Sequence, residues 1–257
     1  TFRFTEFSSC ARWATGSRST AIILKSGFVS ADDQGRIWTE DADDKAGKFF
    51  QGDPKWVTSL AYASTQQGLA SAGYDRTVKM WGHTANAAAS LTLSGHQAAV
   101  KAIDFSPDGR QLVSGSADRT AMVWDVSDKK PIHTLKGHAG SVRDVKFSPD
   151  GTQIATACED GSVRLWNAAT GERQKSLSGH AGMVWRLAYS ADGQWLASGG
   201  FDQTVRLWNP KTGERQGVLR GPDKPIVGLV FSTDSKSLYV ASQDRMIRRY
   251  SLAETER

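Results

Sequence analysis

Cysteine is scarce: the 257 residues contain two, Cys10 and Cys158, too few for a disulfide framework. Unpaired thiols suit a reducing compartment, so a cytoplasmic location is expected, with a periplasmic one as the alternative. No apolar run approaches the roughly 18 residues of a membrane span, and the greasiest segment, TAIILKSGFV, is interrupted by Lys25. No secretory signal is legible in the opening residues. The first residue is Thr1 rather than Met, so the chain is read as processed or as a piece of something longer. Basic residues outnumber acidic ones by 32 to 27, but no run of Lys and Arg concentrates the excess. Arg245, Arg248 and Arg249 are read as solvated edge residues, and no nucleic-acid partner is expected. Metal-ligand spacing, a phosphate-binding Gly loop and a paired-carboxylate signature are all missing, so no metal and no cofactor is expected.

What the chain does have is a repeat. GHAGSVRDVKFSPDGTQIATACEDGSVRLWN returns as GHAGMVWRLAYSADGQWLASGGFDQTVRLWN, and GHQAAVKAIDFSPDGRQLVSGSADRTAMVWD precedes both. Ring residues near the end of each unit are Trp38, Trp81, Trp124, Trp166, Trp208 and Tyr250, spaced by 43, 43, 42, 42 and 42 positions. So tight a period marks one unit copied in tandem.

Within a unit the pattern is β. VRDVKF alternates apolar and charged residues, SPDG supplies turn chemistry, QIATAC is a second strand, EDGS turns again, VRLWN is a third, and GERQKSLSG holds a fourth. Four short strands in about 42 residues select a propeller with one repeat per blade.

The units resemble WD40 repeats. The residues that carry the resemblance are Gly-His at 95–96, 137–138 and 179–180, and Trp-Asp or Trp-Asn at 124–125, 166–167 and 208–209. The resemblance implies an all-β WD40-type propeller over residues 1–257, with repeats near 18–52, 53–95, 96–137, 138–179, 180–221 and 222–257. Six four-stranded blades are expected, with residues 1–7 closing the last one. A seven-bladed ring, or a trimmed seven-bladed chain, is the alternative. The resemblance also implies hydrogen-bonded chains of His, Ser or Thr, Asp and Trp: His96, Ser114, Asp118 and Trp124; His138, Thr156, Asp160 and Trp166; His180, Ser198, Asp202 and Trp208. Unit two has Gly52-Asp53 in place of Gly-His but keeps Ser71, Asp75 and Trp81. Unit six has Gly221-Pro222, Val240 and Tyr250 at the corresponding positions.

Ser, His and Asp within a unit imitate a hydrolase triad, yet a triad occurs once and this set recurs. No catalytic residue is assigned. A non-catalytic interaction scaffold for a protein or peptide partner is expected. The alternatives are a sensory or regulatory module of a larger bacterial signalling or defence protein, and a propeller-type enzyme. Partners of WD40 domains often meet the face bearing the loops before each first strand and the turns before the motif Asp. There the repeat register puts Trp56, Tyr74, Lys101, Arg143, Glu159, Met183, Trp185 and Phe201. Aromatic and Arg side chains are common interface anchors.

Overall fold

The structure is a computed structural model that describes residues 20–24, 27–32, 34–41, 44–51, 55–63, 68–81, 89 and 91–252. The expected closing strand at 1–7, Cys10 and the Gly52-Asp53 pair lie outside these residues. All regular structure among the described residues is antiparallel β, in six sheets. The first comprises β1 (Thr20–Leu24), β2 (Gly27–Ala31), β3 (Arg36–Asp41) and β4 (Asp44–Gln51). The second comprises β5 (Val57–Ala63), β6 (Gly68–Gly73), β7 (Thr77–Trp81) and β8 (Leu91–Ser94). The third has β9 (Val100–Phe105), β10 (Gln111–Ser116), β11 (Ala121–Asp125) and β12 (Pro131–Leu135). The fourth has β13 (Val142–Phe147), β14 (Gln153–Cys158), β15 (Val163–Asn167) and β16 (Arg173–Leu177). The fifth has β17 (Val184–Tyr189), β18 (Leu196–Gly200), β19 (Val205–Trp208) and β20 (Arg215–Leu219). The sixth has three strands, β21 (Ile226–Phe231), β22 (Ser237–Ser242) and β23 (Ile247–Ser251).

Each sheet is a meander because its turns are short and carry turn chemistry. Ser148 accepts the Gly151 N–H on its carbonyl, and its hydroxyl donates to Asp150 at 2.6 Å, with Gly151 at φ +71°. The same turn recurs at Ser106, Ser190 and Ser232.

The first strands of successive sheets lie side by side, β5 against β9, β9 against β13, β13 against β17 and β17 against β21. The core lies between these sheets. Val78, Met80 and Leu93 of the second pack with Val100, Ile103 and Trp124 of the third, and equivalent clusters bridge each later pair. Close approach needs small residues: a Cβ on Gly115 would come within 2.7 Å of Val142. Polar links repeat along the first strands. Asp104 Oδ2 accepts the Phe147 N–H at 2.9 Å, Asp144 Oδ2 accepts that of Leu187 at 2.8 Å, and Ser59 Oγ accepts that of Ile103 at 3.2 Å. Lys146 Nζ lies 3.2 Å from Asp104. Burial works against the Lys146 charge, but Asp104 and Asp144 outweigh it and raise the ammonium above its ordinary value.

Candidate functional site

The buried polar chains run through the sheets. In the third, His96 Nδ1 lies 2.8 Å from Asp118 Oδ2 and Nε2 lies 2.7 Å from Ser114 Oγ. Trp124 Nε1–H donates to the same hydroxyl at 2.8 Å. In the fifth, His180 Nδ1 lies 2.9 Å from Asp202 Oδ2, Nε2 lies 2.8 Å from Ser198 Oγ, and Trp208 donates to that oxygen at 2.8 Å. Proton accounting is consistent with a neutral imidazole: the indole donates to the hydroxyl, the hydroxyl to Nε2, and Nδ1–H to the carboxylate. Burial opposes ionisation of Asp118, yet hydrogen bonds from Thr120, the Gln97 N–H and His96 hold its carboxyl below the usual range. Asp202 is held down in the same way by His180, the Ala181 N–H and the Thr204 N–H, against its burial. Burial lowers His96, and pairing with Asp118 offsets only part of that.

The fourth sheet departs from this arrangement. Thr156 Oγ1 lies 2.7 Å from His138 Nε2 and accepts from Trp166 Nε1 at 2.9 Å. His138 Nδ1, however, lies 3.6 Å from Asp160 Oδ2, too far for a hydrogen bond, and is buried without a partner. The expected unbroken chain through His138, Thr156, Asp160 and Trp166 is therefore interrupted at its carboxylate end. Asp160 is held instead by the Ala139 N–H at 3.0 Å, by Ser162 N–H and Oγ–H at 2.9 and 2.6 Å, and by Arg164 Nη2 at 3.5 Å. Burial and the Arg164 charge push His138 down to about 4. Burial pushes the Cys158 thiol up to about 11.

Sheets without the motif His use a different partner. Asp32 pairs with Arg36 at 2.7 Å, Asp75 with Lys79, and Asp244 with Arg248 at 2.6 Å. In each, a cation four positions on pairs closely with the carboxylate; the fourth and fifth sheets also have an arginine there, but at 3.5 and 4.0 Å. Val240 replaces the hydroxyl in the sixth sheet and is fully buried. Tyr250 O–H there donates to the Arg220 carbonyl at 3.1 Å.

The expected partner-binding residues gather at the strand ends nearest these turns. A backbone bond recurs there: Tyr74 N–H to Trp56 O, Ala117 to Ala99, Glu159 to Ser141, Phe201 to Met183 and Gln243 to Pro225. Trp56 and Tyr74 stack at 5.2 Å and 3°, and Lys101 of the next sheet holds its ammonium 4.1 Å from the Tyr74 ring centroid. Trp185 meets Phe201 edge to face at 5.9 Å. Arg143 of the preceding sheet lies 5.7 Å from the Trp185 ring centroid, and 3.4 Å from Glu159. Met183 is half-buried and contributes the carbonyl that crowds Gly200, where a Cβ would collide with it. Tyr74 and Phe201 remain 39% and 51% exposed, so each aromatic group is braced by a neighbour and still open to a partner. At the other strand ends, a cleft of about 300 Å³ is lined by Ser148, Asp150, Gln153, Tyr189, Asp192 and Lys211.

One juxtaposition is not anticipated by any spacing in the sequence. Donor atoms of His138, Cys158 and Asp160 lie within 4.8 Å of one another. Among the described residues, no helix is long and apolar enough to cross a membrane.

Residues 56–257 match the family model described as the IFT122 first beta-propeller. The small ribosomal subunit protein RACK1 of Drosophila melanogaster is 33% identical over 85 residues, 32% of this chain and 26% of that protein. Nuclear distribution protein nudF 2 of Aspergillus clavatus is 41% identical over 66 residues, covering 26% and 15%. The Notchless protein homolog of Arabidopsis thaliana is 49% identical over 45 residues, covering 18% and 10%. The chain spans about a quarter or less of the length of these relatives. With the repeat, the all-antiparallel sheets and a family match over most of its length in agreement, the chain belongs to the WD40-repeat β-propeller family, in the line of the IFT122 first beta-propeller.

Proposed function

We propose that the chain is a non-catalytic interaction module that takes a partner protein or peptide on the face carrying the two aromatic–cation groups. The observation that carries this is the pair of braced but exposed rings: Tyr74, stacked on Trp56 and capped by Lys101 of the adjoining sheet, and Phe201, set against Trp185, which Arg143 of the adjoining sheet approaches. Such groups present apolar area at little cost in side-chain entropy, since the rings are already held. Lys101 and Arg143 suit an acidic group on the partner, which at Arg143 would displace Glu159. The names of two relatives accord with assembly roles: one is a small ribosomal subunit protein, another an MST50-interacting protein from Pyricularia oryzae. The recurrence of His, hydroxyl and Asp in structural chains argues against a catalytic use of them.

A cytoplasmic location belongs to the proposal and is supported by the free, buried Cys158. A bacterial source and a larger signalling chain rest on the regularity of the repeats alone, and the relatives named above are eukaryotic.

The test begins with affinity capture from the native host and identification of a direct partner. Trp185→Ala and Arg143→Glu should each then weaken its binding by about 1–2 kcal/mol or more, with the fold intact. Normal binding by both variants, together with loss on Lys211→Glu in the opposite cleft, would reject this face.

A further inference from the structure

We propose that His138, Cys158 and Asp160 form a binding site for a zinc-type divalent cation. The three side chains offer imidazole nitrogen, thiolate sulfur and carboxylate oxygen, a donor set zinc accepts, within 4.8 Å of one another. The second, independent observation is the stranded His138 Nδ1. The His138 side chain is 0% exposed, and this nitrogen has no hydrogen-bond partner. The equivalent nitrogens of His96 and His180 are engaged by carboxylates at 2.8 and 2.9 Å.

The surroundings also suit a metal-binding tautomer. Thr156 O–H donates to the Arg164 carbonyl at 3.4 Å. The Thr156 oxygen is then free to accept from both Trp166 Nε1 and His138 Nε2–H. That puts the imidazole proton on Nε2 and leaves a lone pair on Nδ1, the state of a metal-ligating His whose other nitrogen donates to a fixed partner. Tetrahedral zinc with bonds of about 2.0–2.3 Å places its donors roughly 3.3–3.8 Å apart, so the group must contract by about 1 Å. On binding, Cys158 gives its thiol proton to solvent and no group is oxidised or reduced. Arg164, 3.5 Å from Asp160, competes for the carboxylate and sets a limit on affinity. A fourth tetrahedral position is left to water.

The experiment uses the full chain, stripped of metal and titrated with Co²⁺ as a spectroscopic probe. One equivalent should produce a thiolate-to-cobalt charge-transfer band in the near ultraviolet, and Zn²⁺ should abolish it by displacement. Cys158→Ser should lose the band while keeping its circular dichroism, because Ser116 occupies the equivalent position in the third sheet. Adding Ser116→Cys to that variant should not restore the band, since His96 Nδ1 is already engaged by Asp118. No band in the unaltered chain, a band that survives Cys158→Ser, or one restored by Ser116→Cys would each overturn the assignment.

Discussion

Asp202 and Asp160 occupy equivalent turns, and their truncation to Ala should cost different amounts. Each accepts one main-chain N–H from the residue after the motif His, Ala181 at 3.0 Å or Ala139 at 3.0 Å. Each also accepts the N–H and hydroxyl of a residue two positions on: Thr204 at 3.2 and 3.0 Å, or Ser162 at 2.9 and 2.6 Å. Each has an arginine four positions on, Arg206 at 4.0 Å or Arg164 at 3.5 Å. They differ at the imidazole, which lies at 2.9 Å in one and 3.6 Å in the other. Asp202→Ala strands the His180 Nδ1–H, whose side chain is 1% exposed; Asp160→Ala breaks no hydrogen bond to His138. A buried donor left unpaired costs about 1–3 kcal/mol. Loss of the shared turn bonds, which water partly replaces, adds about 1–2 kcal/mol to both variants. Asp202→Ala should therefore destabilise by about 2–5 kcal/mol and Asp160→Ala by about 1–2 kcal/mol. For a chain of this size the gap corresponds to roughly 2–4 °C per kcal/mol in thermal midpoint. Urea and thermal unfolding of the two variants side by side measure it, with Asp118→Ala expected to group with Asp202→Ala. Equal losses, or a larger loss for Asp160→Ala, would refute the claim that the imidazole contact makes the difference.

Acid should weaken the third sheet before its carboxylates titrate. His96 lies below its ordinary value of 6.5 because burial disfavours its charge. The unfolded chain therefore takes up a proton that the folded chain resists, and this contribution, full above about pH 6.5, declines as pH falls. The urea midpoint should drop between about pH 6.5 and pH 5, and drop less in His96→Asn. Arg119 holds φ at +72° in the turn after Asp118, where Gly161 serves in the fourth sheet, so Arg119→Gly should stabilise by about 0.5–1 kcal/mol in the same assay. Lys146→Met would leave Asp104 and Asp144 without their cation and should destabilise by about 1–3 kcal/mol at neutral pH. That loss should shrink in acid, as Asp104, which burial raises above the usual carboxylate range, takes up its proton in the folded state; a loss that grows in acid would refute the pairing.

Much of the architecture was legible because each level of the sequence repeats the same message. VRDVKF, QIATAC and VRLWN correspond to β13, β14 and β15 residue for residue, since alternation and Asp-Gly turns coincide in that unit. The use of a cation in place of the motif His was not legible: Asp followed four positions later by Arg36, Lys79 or Arg248 has the same spacing as Asp160 with Arg164 and Asp202 with Arg206, where the His is present. The broken link at His138 was not legible. It is a displacement of less than 1 Å in a unit whose motif residues are all present. Nor could spacing reveal the approach of Cys158, whose equivalents are Ser116 and Gly200. The ring–cation contacts between sheets were half legible: register places Lys101 and Tyr74 on one face, but their approach depends on the angle between sheets.

The same recurrence explains why difference concentrates at one set of strand ends. The residue before each motif Asp has its N–H fixed by the carbonyl ahead of the first strand, in five successive sheets. Its backbone is thereby specified without its side chain, and the five positions carry Tyr74, Ala117, Glu159, Phe201 and Gln243. In the second to fifth sheets a buried Trp bonded to a buried hydroxyl holds the strands below the turn whichever side chain stands there, whereas in the sixth Val240 and Tyr250 stand at those two positions. Phe201, 51% exposed, packs edge to face on Trp185. Its removal should cost about 0.5–1.5 kcal/mol, the worth of that ring pair. A loss confined to that range, with the buried chain below intact, would make Phe201→Ala a variant that tests the proposed partner face apart from the fold.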